Sequence, residues 1–181
     1  MSSMILSGDT SGAVTLTVPA VAGTNTITLP AATGTVMVSG NMPAFSVYLS
    51  ASQTVTSTSV TKVAFNTKQF DTNTNFDTVT NYRFTPTIAG YYQLNAAIYA
   101  SATAQTNGNI QFWKNGALYT YGSALSASGN NQCVNGSVIM YLNGSTDYVE
   151  LYGRVDGTGT CQFQGGALYL TQFSGVMVKT A

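Results

Sequence analysis

Six carboxylates and no histidine set the limits on acid–base chemistry in this chain of 181 residues. The acids are Asp9, Asp71, Asp77, Asp147, Glu150 and Asp156. Two pairs, Asp71 with Asp77 and Asp147 with Glu150, could formally flank one bond, as glycoside hydrolysis requires. Asp71, Asn73, Asn75 and Asp77 also alternate, a spacing that lets oxygen ligands converge on calcium. That loop lacks the glycine and the bidentate glutamate of a hand-type calcium site, and its Asn/Thr-rich composition fits Asx-capped turns better. Glu150 lies in the run Tyr148-Val-Glu-Leu-Tyr152, so period two puts it on the surface, opposite Val149 and Leu151. Without histidine, the usual catalytic triads and most zinc sites are ruled out. No Walker-type phosphate loop occurs, and no Gly-x-Gly-x-x-Gly follows a strand. The expectation is a non-enzyme with no catalytic residues, no metal and no cofactor.

The bulk composition points the same way. Only 7% of residues are charged while 44% are hydrophobic, which is not a disordered composition. Polarity comes from Thr, Ser, Asn and Gly, residues that suit strands and turns. The formal net charge is zero and the six bases are scattered, so no partnership with nucleic acid is expected. No apolar run approaches the ~20 residues of a membrane span, so no membrane insertion is expected. The N-terminus lacks a basic start followed by a long apolar run, so the chain is expected to begin its life in a cytoplasm. Cys133 and Cys161 each sit in an alternating segment; reduced, semi-buried packing and a bridge between neighbouring strands are both open.

The elements that would position these residues are strands. Candidate strands are 45–49, 60–65, 82–84, 91–100, 109–114, 117–121, 133–142, 147–154, 160–164 and 167–179. Turn signals divide them at Asn107-Gly108, Asn115-Gly116, 128–131, Asn143-Gly144 and 156–159. Asn115-Gly116 predicts a two-residue type I′ hairpin. No window sustains a 3.6-residue period, so a helix-free sandwich or barrel is expected. In 91–99, Tyr92, Leu94, Ala96 and Ile98 share the core face, and Tyr91 and Tyr99 lie on the other. By the same alternation Tyr148 and Tyr152 oppose Val149 and Leu151, and Tyr169 and Phe173 oppose Leu168 and Leu170. A second face carrying tyrosines suits packing against another subunit, because Tyr buries area and keeps a polar handle. Tyr91, Tyr99, Tyr148, Tyr152, Tyr169 and Phe173 are the candidate subunit-interface residues.

Residues 1–43 differ in character from the rest of the chain. Pro19-Ala-Val-Ala-Gly-Thr24 is echoed eleven residues later as Pro30-Ala-Ala-Thr-Gly-Thr35, each copy after a short alternating run. Pro19 and Pro30 lack an N–H and belong at strand ends, while Gly23 and Gly34 suit positive φ. So short a repeat buries no core of its own, so the segment reads as an attachment arm contacting a partner through Leu16, Val18, Pro19, Ile27, Leu29, Pro30 and Val36. Residues 44–181 form the head.

Phe65, Asp71 and Phe76, followed by Phe84, Gly90 and Tyr92, resemble the signature of the complement C1q globular-head family. The spacing departs by one extra residue between the halves, and Leu94 and Ala96 stand where that family usually carries aromatics. Residues 137–151 and Phe173-Ser-Gly-Val-Met-Val178 are similar to the family's later strands, so the resemblance spans about residues 44–179. It implies an all-β, C1q/tumour-necrosis-factor-like jelly-roll sandwich that assembles as a homotrimer. The Ala-Gly-Thr and Leu-Pro-Ala-x-Thr-Gly-Thr segments of the arm are similar to stretches in bacteriophage fibre and other virion proteins. Together these resemblances imply a virion surface protein assembled in the host cytoplasm, whose arm binds a major capsid protein or a tail or baseplate component. Capsid decoration is the first expectation, since no long shaft separates arm from head. A short tail fibre or receptor-binding tip recognising a host surface glycan or protein is the second, and a secreted lectin-like module the third.

Overall fold

Period-two alternation puts one face of each long strand into a common interior, and the head is built from that repetition. The structure is a computed structural model that describes residues 3–21, 23, 24, 26, 28, 31, 36, 38, 40, 42–126, 129–166 and 168–181. No helix occurs among the described residues. The chain divides into two units, Met1–Gly34 and Thr35–Ala181.

The first unit contains a hairpin of β1 (Ser3–Ser7) and β2 (Ala13–Thr17), closed by the Gly8 N–H donating to the Gly12 carbonyl at 3.0 Å. Met4 pairs with Leu16 and Leu6 with Val14, so these four share one face, while Ile5 opposite Thr15 lies on the other. All are exposed. The alternating run before the first copy of the echo is thus β2, but its partner β1 is not among the strands expected from the sequence. Gly23 takes φ +63, as expected. Leu16, Val18, Pro19 and Val36 are exposed, and Ile27, Leu29, Pro30 and Gly34 lie outside the described residues.

The head has eleven strands: β3 (Ala44–Tyr48), β4 (Gln53–Val55), β5 (Thr61–Lys62), β6 (Thr67–Asp71), β7 (Phe76–Asp77), β8 (Arg83–Phe84), β9 (Gly90–Lys114), β10 (Ala117–Leu125), β11 (Gly129–Leu142), β12 (Val149–Phe163) and β13 (Gln172–Thr180). They form two layers joined by shared strands. The first half of β9 pairs with β11 and β13, and β13 continues through β3 to β6. Its second half pairs with β10 and β12, and β12 carries β4, β5 and β8, with β7 beyond. The change of layer falls around Ala104, whose φ of +46 is left-handed, and the pairing registers of β12 and β11 shift beside it. Three short strands, β4, β6 and β7, escape a reading by periodicity.

Several expected boundaries are corrected. Asn107-Gly108 is no turn, because both residues pair across with Asp156 and Val155, and runs 91–100 and 109–114 become one strand. Runs 147–154 and 160–164 likewise merge into β12, with the 156–159 turn signal absorbed as a bulge. The final strand begins at Gln172, not at 167, and only Thr61 and Lys62 of run 60–65 are strand. Asn115-Gly116 does form the two-residue hairpin, with φ of +53 and +77.

Phe65, Phe76, Phe84 and Tyr92, the aromatics of the signature, meet in one buried cluster with Phe45, Phe112 and Phe173. Phe45 stacks on Phe84 at 4.3 Å, and Phe173 reaches Phe45, Phe65, Phe76 and Phe112 at 5.1–6.2 Å between ring centroids. Leu94 and Ala96 fill the places that the signature usually gives to rings, and both are buried. The two layers close on each other at Gly122 and Gly136. A Cβ on Gly136 would sit 2.7 Å from the Phe112 ring and 3.0 Å from Gly122 Cα, so only glycine permits that approach.

Candidate functional site: two outer faces and their loops

The carboxylates of the head are engaged by the protein itself. Asp71 accepts hydrogen bonds from the N–H groups of Asn75 and Phe76 and pairs with Lys68 at 2.8 Å. Burial opposes its ionisation, but these donors outweigh it and hold the carboxyl below the usual range. Asp77 accepts from the N–H groups of Thr80, Val79 and Asn81 and from the Asn81 amide, which hold it far below that range. The alternating Asp/Asn loop therefore works as Asx-capped turns. Asp147 is lowered chiefly by the Asn115 amide at 2.7 Å, with Lys114 at 2.9 Å. Glu150 pairs with Lys62 at 2.6 Å, and Asp156 with Arg154 at 2.7 Å. Glu150 is 5% exposed, which corrects the surface expectation: Lys62 pairs with its carboxylate across the outside of β12.

Asp71 and Asp77 are both held ionised, so that pair lacks the protonated acid a glycosidase needs beside its ionised carboxylate. The depressed groups have a consequence for stability. Carboxyls lowered on folding add stability above their unfolded value of about 4, and that stability is lost as pH falls through the folded values. With no histidine to titrate, the urea midpoint is expected to stay level from about pH 5 to 8 and to drop below about pH 4. A midpoint that rises on acidification would contradict this picture of Asp71, Asp77 and Asp147.

The interface candidates separate. Tyr91 and Tyr99 lie on the outer face of the layer β6-β3-β13-β9-β11. Tyr148 and Tyr152 lie on the outer face of the other layer. There Arg83 sits over the Tyr148 ring at 4.1 Å, and Tyr152 stacks on Trp113 at 4.3 Å. Tyr169 is outside β13, with φ +53 and its ring edge-on to Tyr48 at 4.6 Å. Phe173 is fully buried in the aromatic cluster and belongs to the core, which corrects its assignment to an outer face. In β13 the odd residues Phe173, Gly175 and Met177 point inward, so Val176 and Val178 point out.

Those valines, with Ile139 and Tyr141, are absent from the residues expected at an interface. Tyr91 pairs with Tyr141 and Gln93 with both Ile139 and Val176, so the four apolar residues gather at one end of the first face. Each is 38–54% exposed. The middle of the face is polar: Asn95, flanked by Ser137 and Ser174, lines a shallow depression with Gln172. Alternation about Met140 and Met177 is the signal that points to Ile139, Tyr141, Val176 and Val178. The cysteines are both free, Cys133 exposed on this same face opposite Tyr99 and Cys161 buried.

Two layers joined by long shared strands, with the last strand between β3 and β9, define a C1q/tumour-necrosis-factor-like jelly roll. Solved structures of that kind superpose on the head. The globular domain of zebrafish complement 1qA matches with a TM-score of 0.55 at 19% identity, over 77% of this chain and 99% of that one. Murine APRIL matches at 0.55 and 10% identity over 76% and 99%, and Eiger TNF from S. frugiperda at 0.57 and 10% over 77% and 93%. No protein-family model matches the sequence, and no curated protein matches it. The expected fold is borne out at the level of architecture.

Proposed function

We propose that this chain is a structural protein of a bacteriophage virion, a homotrimer that decorates the capsid and is anchored by its N-terminal arm. The observation that carries the reading is the exposed apolar end of the first face, where Tyr91, Ile139, Tyr141 and Val176 stand uncovered in the single chain. An apolar surface of that character is buried when copies meet, and one repeated heterologous contact around a three-fold axis closes into a ring without leaving free ends. The number three comes from the resemblance carried by residues 65–96. The arm supports the second half of the reading. Met4, Leu6, Val14 and Leu16 form an exposed apolar face on a two-stranded hairpin, which is marginal in water without a partner. Its echoed Pro-Ala and Gly-Thr sequences supply the likeness to virion proteins.

In this reading the head works by packing and display, with no chemical step, which accords with head carboxylates that are all held by bases or backbone amides. The protein is made in the host cytoplasm and ends on the particle surface. A photo-reactive residue placed at Leu16 in assembled particles is the test. Cross-links to the major capsid protein are expected. Cross-links to a tail or baseplate component would favour the short-fibre reading, and cross-links to no virion protein would overturn the proposal.

A further inference from the structure

An open depression of about 300 Å³ lies where the loop before β7, β7 itself and β8 meet, at the low end of the range for small-ligand sites. Arg83 lines it, and its guanidinium forms no ion pair among the described residues; its one neighbour of note is the Tyr148 ring. Lys62, Lys68, Lys114 and Arg154, by contrast, are paired to carboxylates, while Lys179 lies over the Tyr91 ring at 5.9 Å. Asn75 lines the same depression at 6% exposure. Its amide oxygen accepts from the Thr87 hydroxyl at 3.4 Å, and its buried amide nitrogen has no partner among the described residues. A buried donor left unmatched costs about 1–3 kcal/mol; this one is sealed behind the wall and meets an acceptor in the depression when the side chain turns outward. Thr74, Thr85 and Thr87 bring hydroxyls to the same space. Asp77, also at the wall and paired across from Arg83, keeps its charge, has its oxygens taken by three backbone N–H groups and the Asn81 amide, and forms no ion pair with the guanidinium.

The complement of this wall is a small molecule rich in acceptors, with one charged group for the guanidinium and hydroxyls for the threonines. We infer that the depression binds an acidic monosaccharide unit, a pyranose bearing a carboxylate, with Arg83 holding the carboxylate and Asn75 and the threonines holding ring oxygens. Arginine is suited to the first task because its planar fork matches a carboxylate in two hydrogen bonds. The site lies within one head and stands whether or not the trimer and the arm anchor hold.

Saturation-transfer NMR on the intact chain tests this, with methyl glycosides of N-acetylneuraminic acid and of galacturonic acid as the two acidic probes and methyl galactoside as the neutral one. At least one acidic probe is expected to bind about 10-fold or more tightly than the neutral sugar, and the stronger of the two identifies the source of the carboxylate. Arg83→Gln is expected to weaken that binding by about 10-fold or more while leaving the thermal midpoint near wild type, since Arg83 makes no ion pair. Thr85→Val keeps the side-chain shape, removes one hydroxyl, and is expected to weaken binding by a few-fold, about 3 to 10. No transfer to either acidic probe, equal binding of the neutral sugar, or unchanged binding by both variants would each overturn the inference.

Discussion

Replacing Phe173 by alanine is expected to cost about 3–5 kcal/mol of stability, the largest loss of any single truncation in the head. The ring is fully buried and touches Phe45, Phe65, Phe76 and Phe112, so the change empties the centre of the aromatic cluster. Its neighbours cannot collapse into the gap without giving up their own packing, and the residual cavity adds to the lost transfer energy. Domains of this size are stable by only about 5–15 kcal/mol, so the variant would unfold at a much lower urea concentration or fail to accumulate. A midpoint shift worth less than about 1 kcal/mol would show that Phe173 is not where the core is held together.

The second large effect concerns assembly. Ile139→Asp puts a carboxylate on the apolar end of the first face, beside Gln93 and one strand from Val176. Ile139 is 54% exposed in the single chain, so the head itself is expected to fold with little change in its melting midpoint. In the proposed trimer the new charge would be desolvated, which costs several kcal/mol. Assembly is expected to weaken by about 100-fold or more, read by sedimentation as a shift from trimer to monomer. The same substitution at Val79, exposed in the loop after β7, is expected to leave the mass unchanged. A variant at Ile139 that still assembles at wild-type concentration would place the interface elsewhere.

Much of the architecture is legible in the sequence because the signature residues are themselves the core. The rings of Phe65, Phe76, Phe84 and Tyr92 meet in the core, and the Asp71 carboxylate caps the loop between the first two. Gly90 has a similar reason: a Cβ there would meet the Lys179 carbonyl of β13 at 2.5 Å. Where the sequence misleads, the deciding contact lies far along the chain. Alternation misplaces Phe173 because both parities of the last strand are apolar, Phe173 and Met177 on one side and Val176 and Val178 on the other. Periodicity alone cannot tell which side meets Phe45. Glu150 reads as exposed because its partner Lys62 is 88 residues away in sequence. The turn signal at Asn107-Gly108 loses to pairing with β12, whose register is set by the buried residues on either side. The depression beside β8 is invisible in the sequence for the same reason. Its Arg83, which forms no ion pair among the described residues, and its unmatched Asn75 come together only through the pairing of β7 with β8.

Native mass spectrometry of the 181-residue chain at micromolar concentration tests the central claim, that the first face joins copies of this protein. The expected result is a dominant species of three times the 18.9 kDa chain mass, reduced to one chain by Ile139→Asp. A single chain of 18.9 kDa as the dominant species of the unaltered protein would contradict it.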